Sequence, residues 1–169
     1  ILNKYKTPKE MEAEAAAFEK KYKQYAGVPQ PRIVSVYLNV DIYPDQLGVK
    51  FNGYYILKNK TNQPLDSIIL NLSSTINLNE LTFNKTAELV LEDAENGLYI
   101  YKLADQLNPG DSVRLNLNLD YFQKGFTNSS PGGTLVHNGT FINNGLLPSL
   151  GYNESHELTD NAARKKYGL

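Results

Sequence analysis

From Ile33 to Tyr121 the chain alternates apolar and polar residues with a period of two, and no stretch within that span carries the three-and-four spacing of a helix. Val34, Val36, Leu38, Val40 and Ile42 interleave with Ile33, Ser35, Tyr37, Asn39 and Asp41. Successive side chains of an extended chain point to opposite faces, so this segment reads as a long strand with one fully buried face. Val113, Leu115, Leu117, Leu119 and Tyr121 alternate as cleanly with Arg114, Asn116, Asn118 and Asp120. Parallel pairing needs long crossovers, usually helical, and there is no room for them. The pattern therefore predicts a mainly β fold, an antiparallel β-sandwich or saddle-like sheet.

Turn chemistry divides the span. Tyr43-Pro44-Asp45-Gln46-Leu47-Gly48 closes a hairpin onto a second strand from Val49 to Lys58. Asn59-Lys60-Thr61-Asn62-Gln63-Pro64, Asp93-Ala94-Glu95-Asn96-Gly97 and Leu107-Asn108-Pro109-Gly110-Asp111 place Asn, Asp, Pro and Gly where turns use them. Between them lie expected strands at Ser67 to Leu72, Ile76 to Phe83, Ala87 to Glu92, Leu98 to Leu103 and Ser112 to Phe122. Gly125 to Gly133 reads as a loop, and Thr134 to Phe141 as a further strand.

Helix signals sit at the two ends. Thr7, Pro8 and Glu10 supply an N-cap, a first-turn proline and a capping box for a helix over residues 7 to 26. Met11, Ala15, Phe18, Tyr22 and Tyr25 form its apolar stripe, and Gly27 with Pro29 and Pro31 ends it. Thr159 or Asp160 opens a short C-terminal helix through Ala162, Ala163 and Tyr167.

At 169 residues the chain has the size of one domain with a real core. Its net charge of −1, with both signs interspersed, lacks the basic footprint of a nucleic-acid or anionic-membrane binder. Twelve Tyr against six Phe, with many Asn and Thr, suit a β protein with hydrogen-bonding surfaces. With no Cys, disulfides, thiolate metal sites and cysteine nucleophiles are excluded. No run reaches the roughly 18 apolar residues of a membrane-spanning helix. The chain opens on Ile1 with no initiator Met or signal peptide, which suggests a piece of a longer protein.

Catalytic signals are sparse. His156-Glu157-Leu158-Thr159-Asp160 approaches the His-Glu-x-x-His zinc signature, but Asp160 stands where the second imidazole must face the metal. A surface turn ahead of a helix explains the string better. His137 is the other histidine, and no Gly-x-Ser-x-Gly elbow accompanies it. Gly132-Gly133 is no phosphate cradle, and Asp93 with Glu95 falls in a turn. Six Asn-x-Ser/Thr sequons, at Asn59, Asn71, Asn84, Asn128, Asn138 and Asn153, arise readily by chance in a chain this rich in Asn and Thr. No catalytic, metal or cofactor residue is assigned.

Several segments in order carry a resemblance: Val40-Asp41-Ile42-Tyr43-Pro44, Gly53-Tyr54-Tyr55-Ile56-Leu57-Lys58-Asn59, Leu107-Asn108-Pro109-Gly110-Asp111, Lys124-Gly125-Phe126, Asn138-Gly139-Thr140-Phe141 and Leu147-Pro148-Ser149-Leu150-Gly151-Tyr152. Over residues 30 to 169 the chain resembles the N-terminal β-domain of gluzincin zinc aminopeptidases, in the form fused to bacterial ABC-type permeases. The resemblance divides the chain into a connector helix over 1–29 and a β-sandwich domain over 30–169. It implies a non-catalytic scaffold in the extracytoplasmic part of a membrane-associated parent. The partners it implies are the remaining domains of that chain, a zinc-peptidase-like domain and permease segments. The family's Gly-x-Met-Glu-Asn loop and zinc motif are not among these residues, and Leu147-Pro148 keeps only the proline of the family's Phe-Pro. On this basis part of residues 138 to 169 (among them Phe141, Ile142, Leu146, Leu147, Leu150 and Tyr152) is expected to be exposed or mobile, the surface that a following zinc-peptidase-like domain would cover. Two other readings stand beside it: an adhesive or carbohydrate-binding sandwich using Tyr and Asn on loops such as 123–133, and a small hydrolase.

Overall fold

The computed structural model describes residues 6–123, 135–136, 139–140 and 142–169. It is a mainly β protein with two antiparallel sheets, one N-terminal helix and a short C-terminal helix, arranged as a β-sandwich. Helix α1 covers Pro8–Tyr22, and the strands that follow are β1 Arg32–Tyr43, β2 Gly48–Lys58, β3 Leu65–Asn71, β4 Asn77–Phe83 and β5 Ala87–Asp93. Strands β6 Leu98–Leu107, β7 Ser112–Phe122, β8 Leu135–Val136, β9 Gly139–Thr140 and β10 Ser149–Leu150 come next, and helix α2 Asn161–Lys166 closes the order. The first sheet runs β1-β2-β7-β4, the second β10-β3-β6-β5, and β8 pairs with β9. Where a single strand is expected from Thr134 to Phe141, two short antiparallel strands stand instead.

The core lies between the sheets. Val49, Phe51, Tyr55 and Leu57 of β2 and Val113, Leu115, Leu117 and Leu119 of β7 face Ile68 and Leu70 of β3 and Tyr101 and Leu103 of β6. Burial pushes the Tyr55 phenol up to about 12, so it packs as a neutral ring. The second sheet is also covered on its far side. Phe18 and Tyr22 of α1 pack on Ile69, Leu98 and Ile100, which makes β3 apolar on both faces. The layers are thus helix, sheet, sheet.

Helix α1 starts where its capping box sets it, with Thr7 and Glu10 bonded reciprocally. Its buried face is rotated from the expected stripe. Met11 is 52% exposed, while Ala16 and the charged Glu19 are buried beside Phe18 and Tyr22. The reason is the C-terminal arm: Leu158 and Ala163 pack on Ala16, and Arg164 holds Glu19 through two bonds of 2.6 and 2.7 Å. Of the apolar residues of 138–169 expected to be partly exposed, Leu146 is buried, while Ile142, Leu147, Leu150 and Tyr152 are half-buried against the core, and β10 hydrogen-bonds to β3.

Strand β1 is the larger correction. The expected buried face is absent: Val34, Val36, Val40 and Ile42 are 42, 53, 41 and 45% exposed. β1 pairs β2 from Arg32↔Lys58 to Tyr43↔Gly48 and has no neighbour on its other side among the described residues. The register puts Val36, Leu38, Val40 and Ile42 opposite Tyr55, Gly53, Phe51 and Val49, on the core-facing side. Among the described residues the second sheet offers only the two-residue β10 on that flank, so β1 overhangs the sandwich. Alternation marked the face correctly; what covers it is a matter of sheet width.

Candidate functional site

Three places could carry function: the turn holding the histidine, a cleft between α1 and the sandwich, and the overhanging strand. His156 sits in a 3-10 turn at Glu154–His156, exposed, with its ring edge-on to Phe18 at 5.0 Å. Glu157 instead meets Lys23 at 2.5 Å, and Asp160 caps α2 by accepting from the Ala163 N–H at 2.8 Å. The three residues of the zinc-like string thus go to three different tasks. Among the described residues no three His, Cys, Asp or Glu groups converge in a way that could hold a metal. His137 and the glycine pair at 132–133 lie outside the described residues, as do Lys124-Gly125-Phe126, most of the 123–133 loop, Asn128, Asn138 and Phe141.

The cleft forms where the turns after β3 and β5 meet the C-terminal arm. Its inner part, about 420 Å³, is lined by Asn71, Ser73, Asn96, Asn144, Asn153 and His156 among others. A wider groove of about 980 Å³ continues along α1 past Lys21, Tyr22 and Asp93. Asp93 is its electrostatic centre. Burial alone would raise its carboxyl, but hydrogen bonds from the Tyr22 hydroxyl, Asn96 and Lys21 outweigh that and hold it at about 2. Those bonds tie α1 to the β5–β6 turn, so the carboxylate is fully engaged in structure. The Asn71 Oδ1 beneath the cleft has no partner, yet it is itself shut off from solvent and offers nothing to a ligand there. Among the described residues the cleft holds polar amides and hydroxyls without a nucleophile poised beside a base.

The sequons divide by burial. Asn59, 1% exposed, donates to the carbonyls of Gln63 and Leu107 at 2.8 and 2.7 Å and accepts from the Thr61 N–H and hydroxyl. Asn71 is also buried, its amide donating to the Gly151 carbonyl. Both are structural. Asn59 as a knot between the β2–β3 and β6–β7 turns left no signal beyond an Asn at a strand end.

The first sheet shows a different surface. On its outer face Tyr37 stacks on Tyr54, centroids 5.4 Å apart, and the Arg114 guanidinium lies 4.6 Å from the other side of Tyr54. On its inner, core-side face, β1 carries the exposed valines and isoleucine. Together they make β1 the largest concentration of exposed apolar side chains among the described residues, a surface type that marks interaction sites.

No protein-family model matches the chain, and no curated protein matches it either.

Proposed function

We propose that this chain is a non-catalytic scaffold and interaction domain that docks through strand β1. The observation that carries it is the twelve-residue edge strand with an uncovered apolar inner face. Such an edge presents unpaired backbone groups and apolar side chains together, which is what strand addition uses for recognition. The resemblance to the β-domain of permease-fused zinc aminopeptidases fits this role. It would place the domain on the extracytoplasmic side of a larger protein, with the peptidase-like and permease parts as neighbours.

The test is hydrogen exchange on β1, measured on this chain alone at low concentration and on a longer chain that carries its neighbouring domains. Slowed exchange of residues 34–42 in the longer chain is the expected result. Unchanged exchange there, together with turnover of peptide substrates by this chain alone, overturns the reading.

A carbohydrate-binding role has one observation in its favour: the half-exposed Tyr37 ring, backed by Tyr54 and Arg114, next to the Asn-rich outer face of β2 and β7. Glycan binding abolished by Tyr37→Ala would favour that reading over the scaffold.

A further inference from the structure

The four outer strands of the two sheets are unequal. β4 and β5 are seven residues long, each broken by a bulge, and they carry Glu80 and Glu88, Glu92 and Asp93. β10 is two residues long. Short length, bulges and charge are the means by which proteins keep sheet edges from pairing with other chains. β1 has none of these over most of its length. Its one irregularity lies between Ile33 and Ser35, and from Ser35 to Tyr43 it runs unbroken with a single charge, Asp41. Proline flanks it at Pro31 and Pro44 but does not enter it.

We propose that β1 pairs with β1 of a second copy of this chain, antiparallel about a two-fold axis at Leu38, so that the two first sheets join into one of eight strands. The proposal takes the docking role of β1 as given and names its occupant. What points to a second copy is self-complementarity. Pairing about Leu38 sets Val36 opposite Val40 of the second copy and Val40 opposite Val36, an apolar ladder on the uncovered inner face. On the outer face Tyr37 meets Asn39, and Asp41 meets Ser35. No like charges oppose, and Arg32 comes beside Pro44 and Asp45 of the second copy. A two-fold contact requires such self-matching, because each residue must suit its symmetry mate. Directly opposed β-branched pairs are also the stabilising unit of a sheet.

Size sets the strength. The unbroken overlap over residues 35–41 offers roughly six to eight backbone hydrogen bonds, within the usual complement of an interface. The contact strip is only about 24 Å by 10 Å on each partner, well below the ~800 Å² per side of a standard interface. The dimer is therefore a weak, reversible one.

Sedimentation equilibrium over a concentration series tests this on the whole chain. Wild type should pass from monomer to dimer. Val36→Lys should raise the dissociation constant at least tenfold, and Val36→Lys with Val40→Glu should restore it, since the proposed register sets the two new charges opposite each other across the axis. The chain has no cysteine, so Leu38→Cys gives an independent reading. It should form a covalent dimer on mild oxidation, while Leu89→Cys on the β5 edge should not. A monomer at all concentrations, or a dimer indifferent to Val36→Lys and not trapped by Leu38→Cys, overturns the proposal. If the chain stays monomeric but β1 becomes protected when neighbouring domains are joined to it, the second copy is refuted and the scaffold reading stands. If neither occurs, both fall.

Discussion

Replacing Asn59 by Ala should destabilise this domain more than any other single asparagine-to-alanine change among its described sequons. Asn59 uses both amide hydrogens and both lone-pair directions of its carboxamide oxygen. The four bonds do not weigh equally once the side chain is gone. Gln63 is exposed and its carbonyl still accepts from the Thr61 hydroxyl at 3.0 Å, so water and that bond replace most of the loss there. The Thr61 N–H lies in the same loop and rehydrates at a cost of about 0.5 kcal/mol. The Leu107 carbonyl is different. Leu107 is fully buried, and an acceptor orphaned in such a place costs about 1–3 kcal/mol. The missing carboxamide also leaves a small void, worth about 1 kcal/mol if the loop does not collapse into it.

The sum is about 3 kcal/mol, which for a domain of this size lowers the melting temperature by roughly 6–12 °C. Urea denaturation with a common m-value gives the free energy directly. Asn62→Ala in the same loop, exposed, is the control and should stay within about 0.5 kcal/mol. A cost below about 1 kcal/mol for Asn59→Ala would show that the turns between β2–β3 and β6–β7 are held by their backbones alone, and the knot described above would be wrong.

Asp93→Asn should weaken the domain above pH 4 and flatten its acid limb. The folded carboxyl titrates near 2 against about 3.9 when unfolded, so its contribution is complete above pH 4 and is lost as pH falls toward 2. Because the neighbouring Lys21 is well exposed, we expect no more than about 1 kcal/mol, read from stability at pH 3 and pH 7. Arg164→Met should free the arm without unfolding the sandwich, because Glu19 then lies buried without the guanidinium bonded to it; amides of residues 158–167 should exchange at least tenfold faster while those of β2 and β7 do not change. Gly53→Ala should pull β1 from β2, since a Cβ there would stand 2.0 Å from the Tyr37 carbonyl oxygen; an unchanged melting temperature would refute it.

The positions of β1 to β7, their turns and the start of α1 were legible because each depends on neighbours within a few residues, and the cap of α2 was narrowed to Thr159 or Asp160. Thr7, Pro8 and Glu10 specify a helix start on their own, and Asp160 caps α2 by the same logic. Glu19 was not legible. Its partner Arg164 lies 145 residues away, and a Glu on an otherwise polar-looking helix gives no sign of burial until the arm is placed. Asn59 was hidden for the same reason, since the Leu107 carbonyl that it holds is 48 residues distant.

The misreading of β1 bears most on function. Alternation reports that a strand has one apolar side and one polar side, and β1 has both. It does not report whether a second layer reaches that side, because coverage depends on how many strands the opposing sheet contributes at that flank. Here it contributes two residues of β10. An apolar face exposed along a strand except at the partly buried Leu38 costs solubility and invites unwanted pairing. The other outer strands avoid that cost through short length, bulges and acidic residues, so the sequence does contain the means of blocking an edge. Between Ser35 and Tyr43 β1 is long and unbroken and keeps one acidic residue, Asp41, so its edge is blocked less than the others, and a partner for β1 is the physical condition under which such an edge is an asset.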